Sequence, residues 1–257
     1  MGSSRRVAVT CLALAAATLA GCTPTPRPAA APSLVRASVG ELIPAGSSSP
    51  RCVASVVRSA PGNVVLTAAH CLVGAGSGLQ FVPGYTAGSR PFGTWTVMRA
   101  YIDPRWRQAR DPAHDYAFLV LAPQVVNGRP VNVQTVTGAN RLAFTPPVSV
   151  QVATTAYVSG RQVSCTVPMY RAAGYPSFDC DGYPNGTSGG PWLLAPAPAP
   201  GAGDATVVGL IGGLHQGGCS PATSYSAPFD ASAAAVLARA AGGGPADVLP
   251  APGGDGC

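Results

Sequence analysis

Short apolar runs separated by turn residues fill the chain from position 53 onward. The runs at 53–57, 64–67, 94–102, 116–121, 148–159 and 206–212 are rich in Val, Ile, Leu, Thr and aromatic residues, and their length and composition predict β-strands. Position 231 to 241 breaks this rhythm. It is rich in Ala and predicts one helix, with Asp230 as its N-cap. The stretch 195–204, APAPAPGAGD, predicts a surface loop. The pattern as a whole predicts an all-β body closed by a C-terminal helix, followed by a Pro/Gly tail over 243–257.

The N-terminus follows a different pattern. Arg5 and Arg6 precede an apolar run from Val7 to Ala20, and the segment ends Leu19-Ala20-Gly21-Cys22. A positive start, a short apolar stretch and small residues at its end predict a signal peptide over 1–21. The run falls short of the roughly 20 apolar residues that span a bilayer comfortably. The Leu-Ala-Gly-Cys ending resembles the bacterial lipobox. That resemblance implies a lipid on Cys22 and an extracytoplasmic lipoprotein of the cell membrane; cleavage with release is the alternative. Residues 22–50, dominated by Pro, Ala and Ser, predict a semi-extended tether. The lipid is then the membrane contact.

Composition sharpens this picture. Of the 257 residues, 47% are apolar and 10% charged, which excludes wholesale disorder and allows a sizeable core. Gly 32 and Pro 27 suit many short strands and turns. The chain has no Lys, so its net charge of +6 rests on Arg. Those Arg residues are scattered without a basic run, and no nucleic-acid partner is expected.

There are eight Cys. Cys11 leaves with the signal peptide and Cys22 is the lipid site, so six remain. An even number in an exported chain implies disulfides. No CxxC pair or His pair has ligand spacing, so neither a metal nor a cofactor is expected. Among the possible pairings, Cys165–Cys180 and Cys219–Cys257 are favoured, with Cys180–Cys219 plus Cys165–Cys257 as the competitor.

Three residues carry candidate chemistry. His70 closes the run Val64-Val65-Leu66-Thr67-Ala68-Ala69-His70-Cys71. Asp115 precedes the strand-like Tyr116-Ala117-Phe118-Leu119-Val120-Leu121. Ser188 sits in Gly186-Thr187-Ser188-Gly189-Gly190-Pro191-Trp192, whose small residues leave room for a substrate carbonyl and let backbone N–H groups turn toward it. Singly, each has a bland reading: a packed His beside a disulfide, a strand cap, a turn. Together they resemble the chymotrypsin–trypsin family of serine proteases. The order His, Asp, Ser is that family's, the His–Asp separation is 45 residues, and TAAHC and GxSGGP flank the expected positions.

The resemblance covers about 51–242. It implies two six-stranded antiparallel β-barrels with the triad between them, and a monomeric serine endopeptidase that acts on polypeptides through an acyl-enzyme. It assigns the oxyanion hole to the N–H groups of Gly186 and Ser188, and it pairs Cys52 with Cys71. An esterase using the same triad, or a catalytically silent binding module on the same fold, is the alternative. His114 is expected to be a solvated loop residue.

The sequence also departs from the family. Thr187 stands where trypsin-like zymogens carry Asp, and no Ile-Val-Gly-Gly start occurs near Arg51, so activation by a new N-terminus is not expected. Bacterial glutamyl endopeptidases are the more similar branch. Gly182 falls at the pocket base, with Asp181 adjacent. Gly213-Leu214-His215-Gln216-Gly217-Gly218 resembles the acid-selecting segment of that branch, which implies substrate contacts for Gly213 and His215. Gln216 stands where trypsin-like enzymes have a buried Ser near the triad Asp.

Overall fold

The computed structural model describes residues 26–72, 78–147, 149–201, 204–251, 253, 254 and 257. The proposed signal peptide over 1–21, with Cys11, and the proposed lipid site Cys22 lie outside the described residues.

Six strands, Val39–Pro44, Cys52–Val56, Val64–Thr67, Leu79–Pro83, Trp95–Ile102 and Ala117–Leu121, close into an antiparallel barrel. Their side chains explain the unbroken apolar runs of the sequence. Residues of Cys52–Val56 are buried on both faces: Ala54 and Val56 fill the barrel, while Val53 packs against the second half of the molecule. A strand covered on both sides has no reason to alternate. The barrel core gathers Leu42, Leu66, Phe81, Trp95, Tyr101 and Phe118, all essentially inaccessible.

The second half has a six-stranded sheet and a smaller three-stranded one. Its centre is the hairpin Gln151–Val158 and Arg161–Pro168, paired over eight positions. Ser159 and Gly160 link the two strands, with φ of 50° and 70°. Two consecutive left-handed residues give the turn that matches strand twist. Pro191–Leu194 and Thr206–Leu210 extend this sheet, and Tyr170–Ala172, Tyr175–Asp179 and Thr223–Tyr225 form the small one. Phe178 and Trp192 meet edge to face at 4.8 Å between them. The helix Ala231–Ala241 forms as the sequence predicts, with Asp230 accepting from the Ser232 and Ala233 N–H groups. Its buried Ala233, Val236 and Ala240 dock on the first barrel and lock the C-terminus across the molecule. No helix among the described residues is long and apolar enough to cross a membrane.

The stretch expected as a tether is partly body. Val39–Pro44 is a barrel strand, and Ala31–Pro32 pairs with the edge of Arg161–Pro168. The Pro and Ala of the flanking sequence mask a short run whose Val39, Leu42 and Ile43 are fully buried. The same strand carries Glu41, 3% exposed, whose Oε2 has no hydrogen-bond partner among the described residues. Burial pushes its carboxyl up to about 7.

All three favoured disulfides are present: Cys52–Cys71, Cys165–Cys180 and Cys219–Cys257. The competing pairing is thereby excluded.

Candidate active site

His70 lies on a short 3-10 turn, Ala69–Cys71, directly after the strand Val64–Thr67, and Cys71 is tied back to the neighbouring strand through Cys52. Asp115 lies just before Ala117–Leu121, the strand hydrogen-bonded to Val64–Thr67. Adjacent strands of one barrel therefore bring the two together. Asp115 Oδ2 meets His70 Nδ1 at 2.7 Å, and Asp115 Oδ1 accepts the His70 backbone N–H at 2.9 Å. Asp115 is fully buried. A buried carboxylate needs several donors, and the third is the Gly213 N–H, 2.8 Å from Oδ2. That amide supplies support where the resemblance assigns a Ser. Only glycine suits position 213, since φ is +80° and a Cβ would lie 2.6 Å from the Ala227 nitrogen.

Ser188 comes from the second half. Its loop is held by buried Thr187, whose Oγ1 donates to the Pro184 carbonyl at 2.8 Å and whose N–H reaches the same oxygen at 3.2 Å. Thr187 thus ties the loop to its own backbone at the position where trypsin-like zymogens carry Asp. The Ser188 carbonyl accepts from Val53 N–H at 2.7 Å, and Gly189 N–H donates to the Ile211 carbonyl at 2.7 Å, which pins the loop to both halves. Gly189 has φ +83°, and a Cβ there would collide with the Val53 carbonyl oxygen and Thr67 Oγ1. Gly186, with φ +98°, is exposed at the mouth. His70, Gly186 and Ser188 all border one cleft of about 220 Å³.

No family model matches the sequence, and no curated protein does. Solved structures do. The protease Anisep from Arthrobacter nicotinovorans superposes with a TM-score of 0.67 at 23% identity, over 82% of this chain and 98% of that one. A Glu endopeptidase in complex with MPD gives 0.64 at 13% identity, over 84% and 97%. Human heparin binding protein gives 0.59 at 13% identity, over 79% and 91%. The fold is chymotrypsin-like.

In this chymotrypsin-like body a second, larger cleft of about 430 Å³ adjoins Ser188. Tyr183, Thr187, Ile211, Gly217 and Gly218 contribute to its wall, and no Asp, Glu or Arg lines it among the described residues. Asp181 points elsewhere: it is more than half exposed and pairs with Arg27 at 3.7 Å. Gly182, expected at the pocket base, packs under the N-terminal segment, where a Cβ would come within 3.2 Å of Ala30 Cβ. The reason is the Ala30 N–H, which donates to the Asp181 carbonyl at 2.7 Å and lays the segment across this turn. His215 borders the smaller cleft with Ser188, its ring edge-on to Tyr225 at 6.5 Å. Two groups, Cys52/His70/Cys71 and His215/Cys219/Cys257, bring three donor atoms within 4.8 Å, but their sulfurs are joined as disulfides and are not available as thiolates.

His114 is not solvated. It is 5% exposed and sits between Asp111 Oδ2, 2.9 Å from Nδ1, and Arg105 NH1, 2.6 Å from Nε2. Because Arg can only donate, Nε2 accepts and Nδ1 carries the proton. Asp111 also caps the turn Pro112–His114, accepting from Ala113 N–H, and this turn rotates the ring inward. The network shores the loop that ends at Asp115. The Asp-Pro pair at 111–112 was the available turn signal.

Proposed function

We infer that the chain is a serine endopeptidase that hydrolyses polypeptides through an acyl-enzyme on Ser188. One observation carries the reading: a fully buried Asp115 holds His70 by Nδ1 at 2.7 Å, on the same cleft as Ser188. A carboxylate on Nδ1–H leaves Nε2 as the basic nitrogen. His70 takes the Ser188 proton as Oγ attacks the scissile carbonyl, then delivers it to the leaving amine. Asp115 fixes the tautomer and stabilises the imidazolium between those steps. The N–H groups of Gly186 and Ser188 receive the oxyanion, and each such donor typically contributes ~10²–10³ in turnover. Water then repeats the sequence on the acyl-enzyme.

His215, on the cleft with Ser188, and Gly213, on the adjoining space beside His70, contact substrate, while the uncharged 430 Å³ cleft receives the side chain before the scissile bond. The acidic selectivity of glutamyl endopeptidases draws no support from that lining. Export and a lipid on Cys22 complete the reading, supported by the lipobox-like ending and by three disulfides, which suit an oxidising compartment.

The second reading, a silent binding module, is favoured by the likeness to human heparin binding protein, because one fold hosts both proteases and a binding protein. A fluorophosphonate probe decides between them. The wild type should be labelled and Ser188→Ala should not be. Peptide hydrolysis by the variant should fall to roughly 10³–10⁴ over the uncatalysed rate, the residue left by binding and the oxyanion hole. Equal labelling of both proteins removes Ser188 as nucleophile, and labelling of neither favours the binding module.

A further inference from the structure

The C-terminal tail leaves its helix on the first barrel and ends on the second half of the molecule. It is pinned first along the barrel. Asp247 accepts from Ile102 N–H at 2.9 Å and takes both guanidinium nitrogens of Arg239, at 3.1 and 2.9 Å, while its own N–H donates to the Ala100 carbonyl. Its far end, Cys257, is bonded to Cys219. Between these anchors the tail passes the candidate active site. Gln216 Nε2 donates to the Gly254 carbonyl at 2.8 Å and reaches that of Gly253 at 3.4 Å. Gly253 and Gly254 face His70, Gly213 and His215 across a space of only about 80 Å³, against about 430 Å³ in the cleft where Cys257 and Ser188 meet.

The edge that the tail covers is itself unusual. His215 and Gln216 both have left-handed backbones, φ 51° and 52°. Non-glycine residues there are strained and persist where surroundings hold them. The Gln216 side chain that would otherwise face a ligand is engaged by the tail. A polypeptide entering beside His70 meets Gly253 and Gly254 first.

We propose that the C-terminal tail is an autoinhibitory strap across the cleft beside His70, latched by Cys219–Cys257. The proposal rests on the peptidase reading. The latch differs chemically from the other two disulfides. Cys219 and Cys257 are exposed, whereas Cys52, Cys71, Cys165 and Cys180 are buried. A dithiol reductant therefore attacks the exposed pair first, since thiolate access governs exchange. One thiolate breaks the S–S bond and forms a mixed disulfide. The second thiol of the reductant resolves it, leaving two protein thiols and a cyclic disulfide on the reductant. The tail then keeps its anchor at Asp247 and its hydrogen bonds to Gln216 but loses its covalent end, so the open fraction of the cleft rises and apparent substrate affinity rises with it.

The test uses the exported full-length chain in three forms: untreated, treated with a mild dithiol, and Cys219→Ser/Cys257→Ser. A fourth form stops after Val248, keeping the Asp247 anchor. Each is assayed for cleavage of fluorescently labelled casein and for labelling by a small fluorophosphonate. The expected result is labelling of every form, with casein cleavage about tenfold or more faster in the three unlatched forms, as an open fraction of a tenth or less in the latched form requires. Labelling of the unlatched forms alone supports the strap equally, since the strap then also shields Ser188. Labelling of all forms with equal casein cleavage overturns the strap and leaves the peptidase reading standing. Labelling of none overturns that reading and the strap with it. The dithiol arm guards against a variant that fails to fold.

Discussion

The two halves of the molecule solve different problems. The first is a closed barrel in which strands such as Cys52–Val56 and Val64–Thr67 are buried throughout, and it supplies His70 and Asp115 from neighbouring strand ends. The second is split between two sheets, carries buried Thr154, Thr155, Ser177, Ser224 and Ser226, and surrounds Ser188 with positive-φ glycines at 186, 189, 213, 217 and 218. The proposed acid–base pair thus stands on a densely packed wall, while the proposed nucleophile sits among backbone that favours glycine. Damage should differ accordingly. In the first half, chemistry and stability separate. In the second, they fail together.

The largest expected effect tests that separation. Asp115→Asn keeps size and most of the buried contacts but offers His70 an amide N–H, which selects the wrong tautomer. Turnover should drop by about 10⁴, as in the template triad, with little change in the urea midpoint. Turnover within tenfold of wild type would break the assignment of the pair. Gly189→Ala is the matching probe of the second half. A left-handed backbone costs roughly 1–2 kcal/mol for a non-glycine residue, and overpacking adds about 1–3 kcal/mol. Urea titration should show both costs, with fluorophosphonate labelling lost in parallel. Gly128→Ala, where φ is +75° but nothing lies within 4 Å, should show the backbone cost alone. Equal destabilisation at the two positions would show that the crowding around Gly189 adds nothing.

A smaller effect than that at Gly189 lies at the seam. Glu41 faces out of the first barrel, buried, with its carboxyl raised from the ordinary range to about 7. The folded chain therefore binds a proton that the unfolded chain releases between pH 4.5 and 7. Stability falls as pH rises through that window and levels off above it. At about 1.4 kcal/mol per pKa unit the loss is a few kcal/mol at most. Glu41→Gln has no proton to lose, so its urea midpoint should change less between pH 5 and pH 8 than that of the wild type. Parallel pH profiles would show that Glu41 does not titrate in the folded protein.

Much of the first half was legible in the sequence because continuous apolar runs and TAAHC are strong local signals. The helix Ala231–Ala241 was legible for a similar reason, an Ala-rich stretch behind a capping Asp. Val39–Pro44 was not, because Pro and Ala on both sides resemble a linker and its burial comes from partners far along the chain. Arg161–Pro168 was hidden by polar residues, among them Gln162, buried because it donates to the Val39 carbonyl at 3.2 Å and to Tyr157 at 2.6 Å. His114 looked solvated because Arg105 and Asp111, which enclose it, show their roles only once the turns around them form. The passage of Gly253 and Gly254 beside His70 depends on where Cys219 sits in space, which its sequence position does not reveal.

The N-terminal segment also sets a range of action. Ala29 bridges to Asp181, and Ala31–Pro32 is stitched to a sheet edge, so the chain is moored to the body from about Arg27 onward. If Cys22 carries the lipid proposed above, five Cα–Cα steps separate it from Arg27. Fully extended at about 3.3–3.6 Å each, they reach roughly 17 Å. A body attached that way would stay against the bilayer rather than sweep the space above it.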